Sequence, residues 1–459
     1  MPAPSRALPL LTVTLLLGCS TYPQRPAPPV FPDEPVYSST EPSDRVAERD
    51  AGPWWRHAVA APLAEAVDSM LQTNLTLRER EAEVAAARAR LTRAEADSGA
   101  AVELRGDVRA QKTSGDDVTD SRSAALDGSL PLDLNGALAR RVEAARLTLV
   151  AESATLAQQR HDLARDYLLA SLDAAEAAER LALLNEQLAI AEELLRLIGL
   201  RFAQGIATGV DVLQQRDQVA ALRQQVPAAE LARRQAENRL RRLAARHPGL
   251  PASPAGPATT RLPPITPPGA SPAPLELLQH RPDLRAAQAR LEAADARFAE
   301  ALAERWPSLE LSGGLVQRVV SGDVSTLVSA ALGAAFTLFD GGAKAAVARE
   351  RRAELEVAGA RYLGDWFEAV IALDDLRLTR AGLEARIALS RERLQTASDL
   401  LGAAKRRYER GVSDYLPVLD ALRDLQQQQR DHLALRAELA RTLVRLHHAG
   451  GESAAEETS

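Results

Sequence analysis

The chain is poor in the residues that build cross-links and aromatic cores. It has one cysteine, Cys19, so it can form neither an internal disulfide nor a cysteine-based metal cluster. Its seven histidines are scattered, which argues against a histidine metal site. Aromatics are only 3% of the 459 residues. No charge of one sign dominates: 56 Lys and Arg face 62 Asp and Glu, net −6, which excludes a nucleic-acid binder working by bulk positive charge. Beyond the N-terminus there is no run of 18 apolar residues, so no helix is long and apolar enough to span a bilayer. A Gly-rich phosphate loop, a nucleophile elbow and a metal-spaced His pair are all missing, so neither catalysis nor a cofactor is expected. What is abundant is Ala, Leu, Arg, Glu and Gln over long stretches, a composition suited to helices packed on one another.

The N-terminus reads as a targeting segment. Within residues 1–18, Arg6 precedes an apolar stretch from Leu8 to Leu17, a signal-peptide layout too short to span as a helix. Leu16-Leu17-Gly18-Cys19 resembles a bacterial lipobox, in which the cysteine becomes the acylated first residue; a plain signal peptide with an incidental cysteine is the alternative. Ser20 after Cys19 is similar to an outer-membrane sorting address. Residues 19–53 are then a lipid-anchored tether, rich in Pro, Ser and charge and without the means to form a core.

The rest is one unit written twice. Residues 201–213, RFAQGIATGVDVL, align with 407–419, RYERGVSDYLPVL, at an offset of 206. Leu77-Arg78 echoes Leu284-Arg285, Val102-Glu103-Leu104 echoes Leu309-Glu310-Leu311, and Asn135-Gly136 echoes Asp340-Gly341 at nearly the same offset. A Pro-rich linker, 248–274, divides a first repeat at 54–247 from a second at 275–449, with a disordered tail expected over 450–459.

Within each copy the period of the apolar residues changes. Leu63, Val67, Met70, Leu77, Val84 and Leu91 keep helical spacing across 63–97. A period of two then sets in: Val102, Leu104, Gly106 and Val108 alternate with Glu103, Arg105, Asp107 and Arg109. Hairpins are expected at about 100–134 and 308–339, each with an apolar stripe on one face and small or charged residues on the other. Solvent-facing hairpins over a helical core would explain that pattern. Strands of ten or more residues with one polar face also suit a barrel in a bilayer, with Trp306, Phe336 and Phe339 near strand ends as an aromatic girdle. Four strands cannot close a barrel, so such a chain must oligomerise: two copies give eight strands and a filled interior, three give twelve and an open bore.

The helices are long. Ala137 to Leu197 contains neither Pro nor Gly, enough for about 90 Å of helix at 1.5 Å per residue, and Ala343 to Leu401 is its counterpart. Both meet a Gly-containing turn and return, over about 210–246 and 414–447. Thr208 and Asp211 have capping-box spacing at one return, and Asp414 is expected to cap the other. Leu181, Leu184, Leu188, Ala191 and Leu195 recur as in antiparallel coiled coils, a pattern that a coiled-coil scaffold would share.

Several segments carry a family resemblance. Trp54-Trp55 with Asn74-x-x-Leu77, Arg281-Pro282-Asp283-Leu284, Phe339-Asp340-Gly341-Gly342 and Arg407-Tyr408-x-x-Gly411 resemble signatures of the outer-membrane efflux lipoproteins of the TolC/OprM type. These are the outer-membrane factors of tripartite RND-type systems, NodT-like proteins included. The resemblance covers the chain from Trp54 to the last helix. It implies a mainly α fold with a membrane β-barrel: duplicated antiparallel helices forming a periplasmic α-barrel, and four strands per chain in a twelve-stranded trimeric barrel. It also implies a homotrimer held in outer-membrane lipid, partnered by a periplasmic adaptor and an inner-membrane RND-type transporter, conducting drugs or other small molecules passively. In this family polar contacts near the second-copy turn close the periplasmic tip. That role transfers to Arg407 and Tyr408, with Asp211 and Asp414 as acidic partners; ordinary helix-end charges are the alternative. Gly205 and Gly411 are expected to serve the turns and the adaptor contact. A type I protein-secretion duct and a periplasmic coiled-coil adaptor are the competing functions.

Overall fold

The computed structural model describes residues 24–32, 37–38, 52–111, 119–245, 261–269, 271–320 and 323–451. The signal segment, Cys19, most of the tether, the first half of the linker, both hairpin tips and 452–459 lie outside the described residues. The elements are α1 (Trp54–Ala58), α2 (Ala61–Thr73), α3 (Leu75–Asp97), β1 (Ala101–Gln111), β2 (Thr119–Leu132), α4 (Ala137–Ala203), α5 (Gly209–Leu243), α6 (Leu277–His280), α7 (Pro282–Ala303), β3 (Ser308–Val320), β4 (Asp323–Ala335), α8 (Ala343–Glu409) and α9 (Leu416–Ala449). They fall into two compact units that cut across the sequence repeat. One takes in 88–148 and 290–360, the other 30–87, 149–289 and 361–459.

The first unit holds a four-stranded antiparallel sheet in the order β1-β2-β3-β4. The register aligns the period-two pattern across all four strands. Leu104 pairs with Leu126, Leu126 with Leu315 and Leu315 with Val328; nearer the helices, Leu130, Leu311 and Leu332 form a second apolar row. One residue along, the rows read Glu103, Asp127, Gly314, Ser329 and Asp107, Ser123, Arg318, Ser325. Because side chains alternate between faces, a one-residue slip would exchange these two surfaces. The helix ends of this unit pack through small residues, Ala144 and Leu147 against Ala293 and Ala296, and Phe298 is buried against Ala294 and Leu355. Arg141 ties α4 to α7 through Glu300 at 2.7 Å and Glu304 at 3.0 Å.

The second unit is built on a buried cluster that includes Trp54, Trp55, Met70, Leu77, Leu168, Leu172, Leu284, Trp366, Leu373 and Val444. Here one reading from composition needs correction. The tether does contribute to a core: Phe31 packs edge-on against Tyr362 and Trp366 at 5.4 and 5.2 Å, and the Tyr37 hydroxyl donates to the Pro272 carbonyl at 2.8 Å. The described part of the Pro-rich linker is likewise seated, with Ile265 buried and the Thr266 amide donating to the Ala58 carbonyl at 2.9 Å. Proline lowers the entropy a segment loses on docking, so a Pro-rich stretch with a few large apolar residues can line a core without regular structure. The helical pattern over 63–97 is also two helices. Asn74 separates them in an extended conformation, accepts from the Leu77 amide at 3.2 Å and donates to the Leu243 carbonyl at 2.8 Å. It caps α3 and pins it to the end of α5.

A knot of histidines closes this cluster. His448 Nε2 lies 2.9 Å from Asp162, and Trp54 packs against His447 and His448. Burial holds both imidazoles below their ordinary range. Burial pushes the Asp162 carboxyl up, but the His448 hydrogen bond and the Arg165 charge outweigh it and leave the group below its usual range.

Candidate functional site

The two helical turns are the same local structure made twice. Gly205 and Gly411 have φ of +72° and +71°, the left-handed region in which a Cβ is strained. Around the first, the Gly205 amide donates to Phe202 and the Ile206 amide to Arg201, both at 2.9 Å. Around the second, Gly411 donates to Tyr408 and Val412 to Arg407, both at 3.0 Å. This pair of bonds is the Schellman closure of a helix C-terminus.

The return helices start differently. Thr208 and Asp211 form the expected capping box on α5, Thr208 Oγ1 accepting from the Asp211 amide at 3.2 Å and the Asp211 carboxylate from the Thr208 amide at 2.8 Å. The expected cap at Asp414 is absent. α9 begins at Leu416 with Tyr415 in the N-cap position, no side-chain cap and Pro417 in its first turn. Asp414 sits one residue too early for its carboxylate to take the capping role, and it is exposed.

The structure gathers some of the expected gate residues and leaves others apart. Tyr408 is half-buried, 5.5 Å from Tyr415 at an interplanar angle of 61°, with the Arg201 guanidinium 4.4 Å above its ring. Its hydroxyl is buried without a hydrogen-bond partner among the described residues, and burial raises the phenol above its ordinary range. The Asp211 charge acts on both Tyr408 and Tyr415. Arg407 is exposed, and its side chain has no hydrogen-bond or ion-pair partner among the described residues. Arg201 was visible in the sequence only as the repeat partner of Arg407; the geometry stacks it on the other copy's Tyr408 instead.

Sequence reading missed a polar layer just beyond the turns. Gln187, Gln215, Gln218 and Gln426 are buried among apolar helices. Gln218 donates to Gln426 at 3.0 Å and accepts from Arg423 at 2.7 Å, while Gln187 donates to Gln429 at 2.8 Å and accepts from Arg430 at 2.9 Å. Long runs of Gln and Arg look like a solvated face in sequence. Only the placement of the neighbouring hairpin distinguishes buried from exposed glutamine.

In the sheet, the alternation gathers charge on one face; Arg122, near the tip, stands instead in the Val108, Val319 and Val324 row of the other face. Arg105 holds Glu103 at 2.7 Å and reaches Asp127 across the strand pair at 3.9 Å, and Arg109 lies 3.8 Å from Asp107. The other face shows Val102, Leu104, Val108, Leu126, Leu315 and Val328 exposed. At the helix-proximal end, where Ser308 pairs with Ala335, Trp306 and Phe336 flank the sheet and Phe339 is 90% exposed. An amphipathic sheet edged by aromatics is suited to a lipid boundary. Among the described residues no helix is long and apolar enough to cross a membrane, and no group of His, Cys, Asp and Glu could hold a metal ion.

Comparison with known proteins agrees with this geometry. The outer membrane efflux protein family profile matches residues 66–246 and 273–452. The outer membrane protein OprJ of Pseudomonas aeruginosa is 29% identical over 448 residues, 92% of this chain and 91% of that protein. The outer-membrane channel OprN superposes with a TM-score of 0.81 at 25% identity, covering 95% of this chain and 99% of that one. The open-state Neisseria gonorrhoeae MtrE outer membrane channel gives a TM-score of 0.81 at 22% identity over 94% and 98%, a likeness of fold. With a single-faced apolar sheet, two long helical hairpins and a family profile matched on both halves of the duplication, the chain belongs to the outer membrane efflux protein family.

Proposed function

We propose that this outer-membrane efflux protein works as a homotrimeric, gated, passive duct. It takes small molecules from an inner-membrane RND-type transporter, through a periplasmic adaptor, and releases them outside the cell. The observation that carries this reading is the sheet, whose outer strands β1 and β4 each leave one edge without a partner strand among the described residues and whose apolar stripe lies on one face. In lipid each unpaired backbone group costs several kcal/mol, so the edges must be joined to other strands. β1 and β4 run in opposite directions, so β4 of one copy can pair antiparallel with β1 of the next. Three copies give twelve strands and room for a bore lined by Glu103, Arg105 and Asp127. Transport energy comes from the partner transporter, and the duct itself needs no catalytic residue and no cofactor.

Arg407 and Tyr408 hold the closed tip in this reading, with Asp211 and Asp414 as acidic partners. The Arg407 side chain is exposed and has no partner among the described residues of its own chain, as a contact to a neighbouring copy requires. Gly205 and Gly411 shape the turns presented to the adaptor. In planar bilayers Arg407→Ala is expected to raise conductance; an unchanged conductance would remove the gate role. Cys19 carries the lipid anchor, so Cys19→Ser should abolish palmitate incorporation, and retained label would sink the lipobox reading. A type I secretion duct would share this fold, and the transporter that co-purifies separates the two readings. The coiled-coil adaptor is set aside by the family and by the four-stranded sheet.

A further inference from the structure

The second-copy hairpin holds a recess where the first copy is packed shut. α4 and α8 are both 67 residues long, and they begin and end 206 residues apart. In the first copy Leu184 of α4 and Leu222 of α5 are buried in one cluster with Ala191, Val219 and Ala229. At the same offset the second copy has Ser390 and Gln428, and His432 stands where the first copy has Val226. The Ser390 hydroxyl lies 3.1 Å from His432 Nδ1, and Gln428 is buried with its amide donating to Asp424 at 3.2 Å. With Ser and Gln in place of two leucines the apolar seam is lost, and a recess of about 660 Å³ opens between α8 and α9.

The lining is balanced in charge and sorted by wall. α8 contributes Arg386 and Arg393 and α9 contributes Asp431 and Glu438, while Arg441 of α9 and Glu176 of α4 complete three cations and three anions. Arg441 is engaged with Asp173 and Glu176, and Glu438 with Arg441 and Arg445. Nearer the turn, Arg393 reaches Asp424 at 3.9 Å. Seven residues further from the turn on each helix, the same register sets Arg386 opposite Asp431. Arg386 nevertheless has no hydrogen-bond or ion-pair partner among the described residues, and Asp431 accepts from Gln427 of its own helix at 2.8 Å. Leu383, Leu389 and Leu435 add an apolar surface beside these two charges.

A simple anion or cation would meet attraction and repulsion in equal measure here. A guest with a carboxylate, an ammonium group and an apolar body matches all three features, and the volume is in the range of small-molecule sites. We propose that this recess is a binding site for amphipathic zwitterions, with Arg386 receiving the carboxylate, Asp431 the ammonium group, and Leu383 and Leu435 the apolar body. Paired helices pack about 8–10 Å apart, so the two charges of the guest need a similar separation. Binding is read on the protein itself and requires neither conduction nor a gate.

The test is fluorescence titration of the full chain in lipid nanodiscs, with empty nanodiscs as the blank and native mass checked for each variant. Nα-dansyl-lysine carries a carboxylate, an ammonium group and an apolar fluorophore; dansylcadaverine lacks the carboxylate, and Nα-dansyl-norleucine lacks the ammonium group. The wild type is expected to bind dansyl-lysine saturably and each analogue about fivefold more weakly, the upper range for one exposed ion pair. Arg386→Gln should erase the preference over dansylcadaverine, and Asp431→Asn the preference over dansyl-norleucine. Ser390→Leu combined with Gln428→Leu, which restores the first-copy seam, should abolish saturable binding. No saturable binding to the wild type would overturn the site. So would equal affinity for all three probes, the mark of a merely apolar surface, or binding unchanged by the double leucine variant, which places it elsewhere. A lower native mass for Arg386→Gln or Asp431→Asn would also overturn it, because a second copy of the chain would then cover the recess. Should the leucine variant fail to assemble, the two charge variants decide by their probe preferences.

Discussion

A charge placed on the apolar face of the sheet, compared with the same charge one residue along, tests the membrane assignment directly. Leu315 stands in the row Leu104, Leu126, Leu315, Val328 and is the eighth residue of the 13-residue β3. Thirteen residues at roughly 3.3 Å each extend about 43 Å, and a tilt of about 40° leaves about 33 Å across the bilayer, close to the thickness of its hydrocarbon core. Leu315 therefore sits near the midplane, where an arginine costs about 2–4 kcal/mol. The proposed trimer would carry the substitution three times, roughly 6–12 kcal/mol per assembly, comparable to the whole stability of an ordinary domain. Val316 lies in the row with Arg105, Ala125 and Leu327 on the other face, where an arginine meets water and changes stability by only about 0.5 kcal/mol. We expect Leu315→Arg to deplete the protein from the outer-membrane fraction and lower its urea midpoint in vesicles, with Val316→Arg close to wild type. Equal tolerance of the two, or the reverse order, would refute the face assignment.

Two further predictions concern the helical unit. Gly411→Ala places a Cβ at a φ of +71° with nothing within 4 Å, so its cost is purely conformational, about 1 kcal/mol, whereas Gly364→Ala inside α8 is also unobstructed and should stabilise by about 0.5–1 kcal/mol. Denaturant midpoints moving in the same direction for both would contradict this. Because burial depresses His447 and His448, the unfolded chain binds protons that the folded chain refuses. Stability is therefore complete above about pH 6.5, the ordinary histidine value, and falls as pH drops below it. Melting temperatures between pH 7.5 and 5 should fall, and His448→Gln, which keeps a donor for Asp162, should flatten the fall; parallel curves would disprove the assignment.

Much of the fold could be read from the sequence because its rules are local and repeat twice. The period of two around Leu104 and Leu315 assigns strands and faces, and the Gly205 and Gly411 motifs mark turns that only a positive φ can close. Features hidden from the sequence depend on partners far along the chain. Phe31 and Tyr37 sit in a segment whose composition suggests a free tether, yet Trp366, Tyr362 and Pro272 provide the surface that orders them. Asn74 breaks an otherwise helical pattern because Leu243 offers it a carbonyl, and no periodicity encodes that acceptor. The site was legible to a similar degree. Motif similarity pointed to Arg407 and Tyr408, but the Tyr415–Gln215 bond spans 200 positions and appears only once the hairpins are placed.

The central claim is that the chain closes its open sheet by joining two others in the outer membrane. The most direct measurement is the native mass of the protein extracted from outer membranes in mild detergent, corrected for bound detergent. The account predicts about three times the 49.3 kDa chain, slightly less after removal of the signal segment. A monomer, or protein recovered from the soluble fraction, would contradict it.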